Sequence, residues 1–336
     1  MKKLMVLSVF LSLLLFSCTP KQDEGDYLKI QGFTQGTTYI ITYQTPDSLD
    51  LRSTVDSLLH DFDLSLSTYI PNSIISRINN NEENVVVDEL FQAVWDESLR
   101  IFKLSDGKFD ITVAPLINAW GFGPGMKMEM DSIIIDSLMQ FVGMEKLSMR
   151  DGIVIKEKPG IRMDVNAIAQ GYSVDVLAEY FKEIGINNFL INVGGEITCS
   201  GVNPGGNEWR VGVDKPVFGN SLPGQELQAV LLLDNISLAS SGNYRKFYEI
   251  DGKKIVHTLD PATGYTRMSQ LLSATILAES CVTADALATT CMVMGPEKAK
   301  EFISGLKGVD AYFITTDDDG LYYEWYTPGI EAILQK

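Results

Sequence analysis

An α+β fold, with mixed or antiparallel sheets flanked by helices, is predicted by three features of this 336-residue chain. Apolar alternation arrives in pairs of short runs separated by Gly-rich or Asp-Gly turns, which is how hairpins read. Helical periodicity interrupts these runs without the regular strand-helix-strand alternation of a parallel sheet. No internal repeat or linker divides the chain, so residues 27–336 are expected to form one compact unit, with a cleft between two sub-lobes.

Residues 1–17 stand apart. Lys2 and Lys3 precede an apolar stretch from Leu4 to Phe16, and Leu15-Phe16-Ser17-Cys18 resembles the lipobox of bacterial lipoproteins. That resemblance implies cleavage before Cys18, acylation of Cys18, and a protein lipid-anchored to a bacterial membrane and facing the periplasm. A plain secretory signal or an uncleaved anchor is the alternative. Residues 18–26 are a polar tether.

Within the body of the chain, Tyr27–Tyr43 alternates as one or two strands around Gly32 and Gly36. Ser48–Phe62 carries Leu49, Val55, Leu58, Leu59 and Phe62 at helical spacing, with His60 on the wet side, and Asp88–Leu104 repeats the pattern. Lys108–Gly125 is dense in Gly, Pro and aromatics, which suits a loop lining a flat-ring pocket, although Phe109, Trp120 and Phe122 could equally be core. Ile153–Ile155 and Ile161–Val165 read as strands, Asn166–Ile184 as a helix, and Asn188–Val193 as a strand ending in the Gly194-Gly195 turn. Trp209–Val213 belongs to a hairpin with a long excursion. Ala229–Leu233 and Ile236–Ala239 are further strands, and Tyr244–Ile250 with Lys254–Thr258 forms a hairpin turning at Asp251-Gly252. Ser273–Ala278 feeds a helix over Cys281–Gly295, and Tyr312–Thr316 with Tyr322–Trp325 closes a last hairpin.

The formal charge is −17, and loss of residues 1–17 removes two lysines and no acid, which leaves −19. Such a surface repels polyanions, and no Lys/Arg cluster longer than two is present, so nucleic acid is not an expected partner. Ligands bearing phosphate then need a cation or backbone amides. Cys199, Cys281 and Cys291 match no zinc spacing and read as buried thiols.

Asp285 is the most informative residue. It lies in a run of Ala, Leu, Val, Met, Thr and Cys too apolar to face water all round, and Gly295-Pro296 ends that run. An ionised carboxylate there must be paired or metal-bound. Thr289 follows at i+4, about 40° around the helix, close enough to share a hard cation such as Mg²⁺ with it. The alternative is an acid capping a neighbouring loop, with Thr289 bonding back to its own helix. Three other segments carry chemistry. His257 ends a strand just before the Asp260-Pro261-Ala262-Thr263-Gly264 turn; Asp164 to Gly171 runs from an apolar strand into a helix start with free amides; Asp106 to Pro115 places acids beside an aromatic.

With these blocks in order, the sequence resembles the ApbE family of FAD:protein FMN transferases, formerly described as thiamine biosynthesis lipoproteins. The resemblance is carried by Gly36-Thr37-Thr38-Tyr39, Leu66-Ser67-Thr68-Tyr69, Asp106–Pro124, Asp164–Asp175, Asn192 to Glu196, Ser240–Arg245, His257–Gly264 and Thr283–Gly295. It implies a fold related to the T-fold and a Mg²⁺-dependent transfer of FMN from FAD to a Thr or Ser of another protein, with AMP leaving. By position it implies that Asp285, Thr289 and the main-chain oxygen of Ala167 hold the metal. Ala288 stands where many relatives carry a second acid, and Ala167 where some carry Thr. Gln35, Tyr69, Lys108, Phe109, Asp110, Asp164, Gln170 and Leu259 match positions that contact FAD.

His257 is the candidate base for the acceptor hydroxyl, since an imidazole titrates near neutral pH; a structural or FAD-contacting histidine is the alternative. Arg245 is a candidate for stabilising the leaving phosphate, or a surface residue. The acceptor is expected to bear a Ser/Thr-Gly-Ala-Ser/Thr type motif, as in membrane redox subunits. Two other functions remain open on sequence: a Mg²⁺-dependent FAD pyrophosphatase releasing FMN and AMP, and a flavin-binding lipoprotein without chemistry.

Overall fold

The computed structural model describes residues 25–217, 224–244, 247–250, 253–317 and 319–335. The signal segment, Cys18, most of the tether and Arg245 lie outside the described residues.

Strands β1 (Asp26–Thr34) and β2 (Thr37–Thr45) form the expected hairpin. It turns at Gln35 and Gly36, both at positive φ (50° and 73°), as a two-residue turn matching the strand twist requires. Helix α1 (Arg52–Leu66) buries Val55, Leu59 and Phe62 and leaves His60 exposed, but it starts later than its apolar spacing suggests, and Leu49 is exposed ahead of it. Helices α2 (Ile74–Asn79) and α3 (Glu89–Leu104) follow, and Asp88 caps α3 by accepting the Phe91 N–H. The aromatic segment after residue 108 is only partly loop: α4 (Ala114–Trp120) occupies its centre, and α5 (Ser132–Met139) comes next.

A small hairpin of β3 (Leu147–Arg150) and β4 (Ile153–Lys156) precedes α6 (Ala169–Glu183). Ile161–Val165, expected as a strand, is not one. Asn79 grips Met163 from both sides, its Oδ1 accepting from Met163 N (2.7 Å) and its Nδ2 donating to Met163 O (2.8 Å), so a side chain takes the place of a neighbouring strand. Then come β5 (Phe189–Val193), β6 (Glu196–Ser200), β7 (Trp209–Asp214), β8 (Leu227–Leu233), β9 (Ser237–Gly242), β10 (Phe247–Ile250), β11 (Lys253–Val256) and β12 (Leu271–Ala278). Helices α7 (Cys281–Met294) and α8 (Pro296–Ser304), strands β13 (Asp310–Thr316) and β14 (Tyr322–Tyr326), and helix α9 (Pro328–Ile333) complete the order.

Eight strands make one antiparallel sheet in the order β1-β2-β5-β6-β9-β12-β13-β14. Both faces of its centre are covered, which is why all eight residues of β12 are buried. Leu277, Tyr312 and Ile314 point to a layer formed by the β7–β8 hairpin and α9, while Ile276 and Phe313 point to the helices on the other side. Helix α7 lies among β9, β12, α3, α6 and α8, so it has no wet face, as its composition requires. Leu116, Trp120, Ile135, Val142 and Leu259 form a separate small core, which joins α4 and α5 to the segment after β11.

Candidate functional site

Helices α6 and α7 meet so closely that a side chain at Gly171 would collide: a Cβ there would stand 2.4 Å from the Cys281 carbonyl oxygen and 2.7 Å from the Asp285 Cβ. Through this contact the Gly171 N–H donates to Asp285 Oδ2 at 3.0 Å. In an uninterrupted helix that N–H would serve the carbonyl of residue 167. The Ala167 carbonyl, just ahead of α6, is consequently left without a backbone hydrogen bond among the described residues. Asp285 is 6 % exposed, and its Oδ1 accepts no hydrogen bond among the described residues. Burial pushes its carboxyl up to about 7; the Gly171 N–H opposes this and the charge of Asp175 adds to it.

The capping expectation for Asp285 takes this form: it grips the start of a neighbouring helix with one oxygen. Among the described residues Thr289 makes no side-chain bond back to its own helix. Its Oγ1 lies 3.2 Å from Ser241 Oγ on β9, whereas the adjacent Thr290 bonds back to Ala286 O. Among the described residues no three His, Cys, Asp or Glu side chains converge to hold a metal. The donors here are one carboxylate, one hydroxyl and one main-chain carbonyl, all oxygen, a set that suits a hard cation which keeps much of its water.

The FAD positions divide. Gln35 stands in the β1–β2 turn at φ 50°, and both ends of its side-chain amide are buried without a hydrogen-bond partner among the described residues. Gln170, in the first turn of α6, and Thr37 of that same hairpin both flank Gly194: a Cβ there would stand 2.8 Å from Gln170 Nε2 and 2.9 Å from Thr37 Cγ2. Tyr69 and Asp164 face a common cavity of about 210 Å³ with Thr68, Asn79, Asn118 and Arg162. The Tyr69 hydroxyl is pushed up by burial and then by the Asp164 charge.

Phe109 and Asp110 are placed otherwise. The Phe109 ring is buried in the main core, and Trp120 in the small one. Both Asp110 oxygens are committed, Oδ1 to Thr112 N and Oγ1 and Oδ2 to Met144 N, which clamps two loops together. Their side chains hold the site's frame; Asp164 N donates to Ile111 O (2.7 Å) within it.

His257 follows β11 in the segment packed on the small core, its ring 6.3 Å from that of Phe122, which stacks on Tyr248. Lys108 Nζ pairs with Asp260 at 2.9 Å, and Asp260 also accepts Ala262 N, so the turn carrying Leu259 is pinned to the loop carrying Lys108. Leu259 is buried and bridges to Thr266. Sequence reasoning passed over Asp175, whose two oxygens accept Cys281 N and Val282 N (2.8 Å each) and cap α7 from the side of α6. An acid flanked by Val174 and Val176 in the predicted helix is the signal that could have found it. Cys199, Cys281 and Cys291 are buried free thiols.

Flavin transferases are among the solved proteins that share this architecture. The flavin transferase ApbE of Vibrio cholerae superposes with a TM-score of 0.80 at 31% identity, covering 92% of this chain and 99% of that one. The apo form of the Pseudomonas stutzeri flavinyl transferase ApbE gives 0.81 at 29%, covering 92% and 96%. The ApbE family profile matches residues 35–313, and the chain belongs to that family. By sequence it is 34% identical to the FAD:protein FMN transferase of Vibrio cholerae over 96% of this chain and 97% of the relative, and 33% identical to that of Escherichia coli K12 over 91% and 88%.

Proposed function

We propose that this protein transfers FMN from FAD to a Ser or Thr hydroxyl of another protein in a Mg²⁺-dependent reaction, with release of AMP. The observation that carries this reading, besides the family, is the diversion of the Gly171 N–H to Asp285, which frees the Ala167 carbonyl and uses one carboxylate oxygen. Asp285, Thr289 and that carbonyl would hold the ion. When bound, Mg²⁺ supplies the positive charge that a pyrophosphate needs in a protein of this acidity.

The rest falls to the chain's own groups. Gln35 and Gln170 meet the dinucleotide from the hairpin side, and Tyr69 with Asp164 meets it from the α1 side. His257 accepts the proton from the acceptor hydroxyl as its oxygen bonds to the FMN-side phosphorus; the P–O bond to AMP breaks and AMP carries that electron pair away. A histidine-to-glycine variant of the Vibrio enzyme superposes on this chain with a TM-score of 0.81 at 32% identity.

The acceptor would present a Ser/Thr-Gly-Ala-Ser/Thr type segment, and acylated Cys18 would hold the enzyme at the outer side of a bacterial membrane, near membrane redox subunits. Incubation of the protein with FAD, Mg²⁺ and such an acceptor should give in-gel flavin fluorescence that survives denaturation. FMN release without labelling would make it a pyrophosphatase, and FAD retention without turnover a carrier; either result would overturn the proposal. Loss of membrane association in a Cys18→Ala variant checks the anchor.

A further inference from the structure

Asn243 stands between the two ends of the site and has no role in the account so far. It follows β9 directly, and its backbone N–H donates to Leu272 O (3.2 Å), which extends the pairing with β12 by one residue. The side chain is 2 % exposed. Its Oδ1 accepts the Thr258 hydroxyl at 2.5 Å. Two residues earlier, Ser241 reaches Thr289 (3.2 Å), and one residue before Thr258 stands His257. The Asn243 amide thus ties the strand that meets Thr289 to the loop that carries the imidazole.

This link is held at a cost. Asn243 Nδ2 makes no hydrogen bond among the described residues, and a buried donor left unpaired costs about 1–3 kcal/mol. An apolar residue of the same size would avoid that cost and lose only the bond to Thr258. Retention of an asparagine is then explained by what its oxygen does, as strain kept at a working site is. The loop has other fastenings, Arg267 N to Thr258 O (2.8 Å) and Lys108 to Asp260 (2.9 Å), but these fold it on itself and onto the neighbouring loop.

We propose that Asn243 is a positioning residue for the transfer reaction: by accepting the Thr258 hydroxyl it holds the His257 imidazole in register with the Thr289 end of the cleft. The role rests on the transferase reading, because a base displaced by an ångström loses proton transfer while FAD binding persists.

The test compares the whole protein with its Asn243→Ala, Thr258→Val, double and Asn243→Asp variants. In Asn243→Ala, kcat for flavin transfer should fall about tenfold or more while the KM for FAD stays within about twofold. Thr258→Val, which keeps the shape of the side chain, should lose as much. The double variant should lose no more than either single one, since all three remove one bond. Asn243→Asp keeps an accepting oxygen and should restore kcat.

A second readout needs no turnover. The chain has two histidines, so imidazole NMR signals assigned with a His60→Gln variant should show His257 shifting in Asn243→Ala and Thr258→Val and returning in Asn243→Asp. Unmoved His257 signals, a wild-type kcat in Asn243→Ala, or additive losses in the double variant would each overturn the proposal. If the unaltered protein transfers no flavin, the transferase reading fails, and the imidazole signals still decide whether Asn243 holds His257.

Discussion

The surroundings of Asp285 and those of His257 are held in different ways. At the first, two buried helices touch backbone to backbone at Gly171, Asp175 caps α7 from α6, and Asp285 returns the tie to α6. These three links each involve a main-chain group of a regular element, and the surroundings are apolar. At the second, a turn outside any helix or strand is hung from side-chain bonds: Lys108 to Asp260, Thr258 to Asn243, and Trp120 Nε1 to Gly264 O. The contrast suits the two roles proposed for these groups. A cation site needs fixed oxygens, whereas a base beside an incoming protein segment needs reach, and loops held by a rigid scaffold supply that.

The comparison can be broken most sharply by removing the reacting groups. Asp285→Ala should lower flavin transfer about 10³-fold and abolish its response to Mg²⁺, whereas His257→Gln should cost about 10²-fold and leave Mg²⁺ activation intact. Initial rates across a Mg²⁺ titration check both, and equal Mg²⁺ dependence in the two variants would erase the division of labour.

Next in size is packing. Gly171→Ala inserts a methyl where no space exists and should destabilise the protein by about 1–3 kcal/mol in urea unfolding, with a weaker Mg²⁺ response. A change of similar scale at the His257 turn should leave stability nearly unaltered.

The acids of the Asp285 region also predict a pH effect. Burial raises Asp285 to about 7 and Asp175 to about 6, so in the cation-free protein they keep protons that the unfolded chain releases near pH 4, about the ordinary carboxyl value. The unfolded state then binds fewer protons across this window, and stability falls as pH rises from about 4 through 7. A cation-free Tm that drops by about 5 °C or more between pH 5 and pH 8, with Mg²⁺ restoring it at pH 8 and doing little at pH 5, is the expected result.

The smallest effect belongs to the β1–β2 turn. Gln35→Gly relieves a positive φ and removes an unpaired amide, which should stabilise the protein by about 0.5–1 kcal/mol while FAD binding weakens. Paired calorimetry and FAD titration read both sides.

Much of this was legible in the sequence. The hairpins at 26–45 and 310–326, the helices α1, α3, α6 and α7, and the odd acid of α7 all declare themselves through period or through one polar residue in an apolar run. Helices α2, α4, α5, α8 and α9 were not foreseen, since segments of six to nine residues carry too few turns for a period to show. Phe109 shows the converse: an aromatic in a Gly-rich stretch reads the same whether it lines a pocket or fills a core.

By itself the sequence determined which side chains must leave water and that Asp285 needs a partner, because both follow from local pattern and the cost of burying charge. Only the tertiary structure decided who the partners are. Gly171 meets Asp285 across 114 residues, Asp175 meets Cys281 across 106, and Met163 is held by Asn79 rather than by a strand. Such choices depend on how close two backbones pass once packed, and no spacing along the chain encodes that distance.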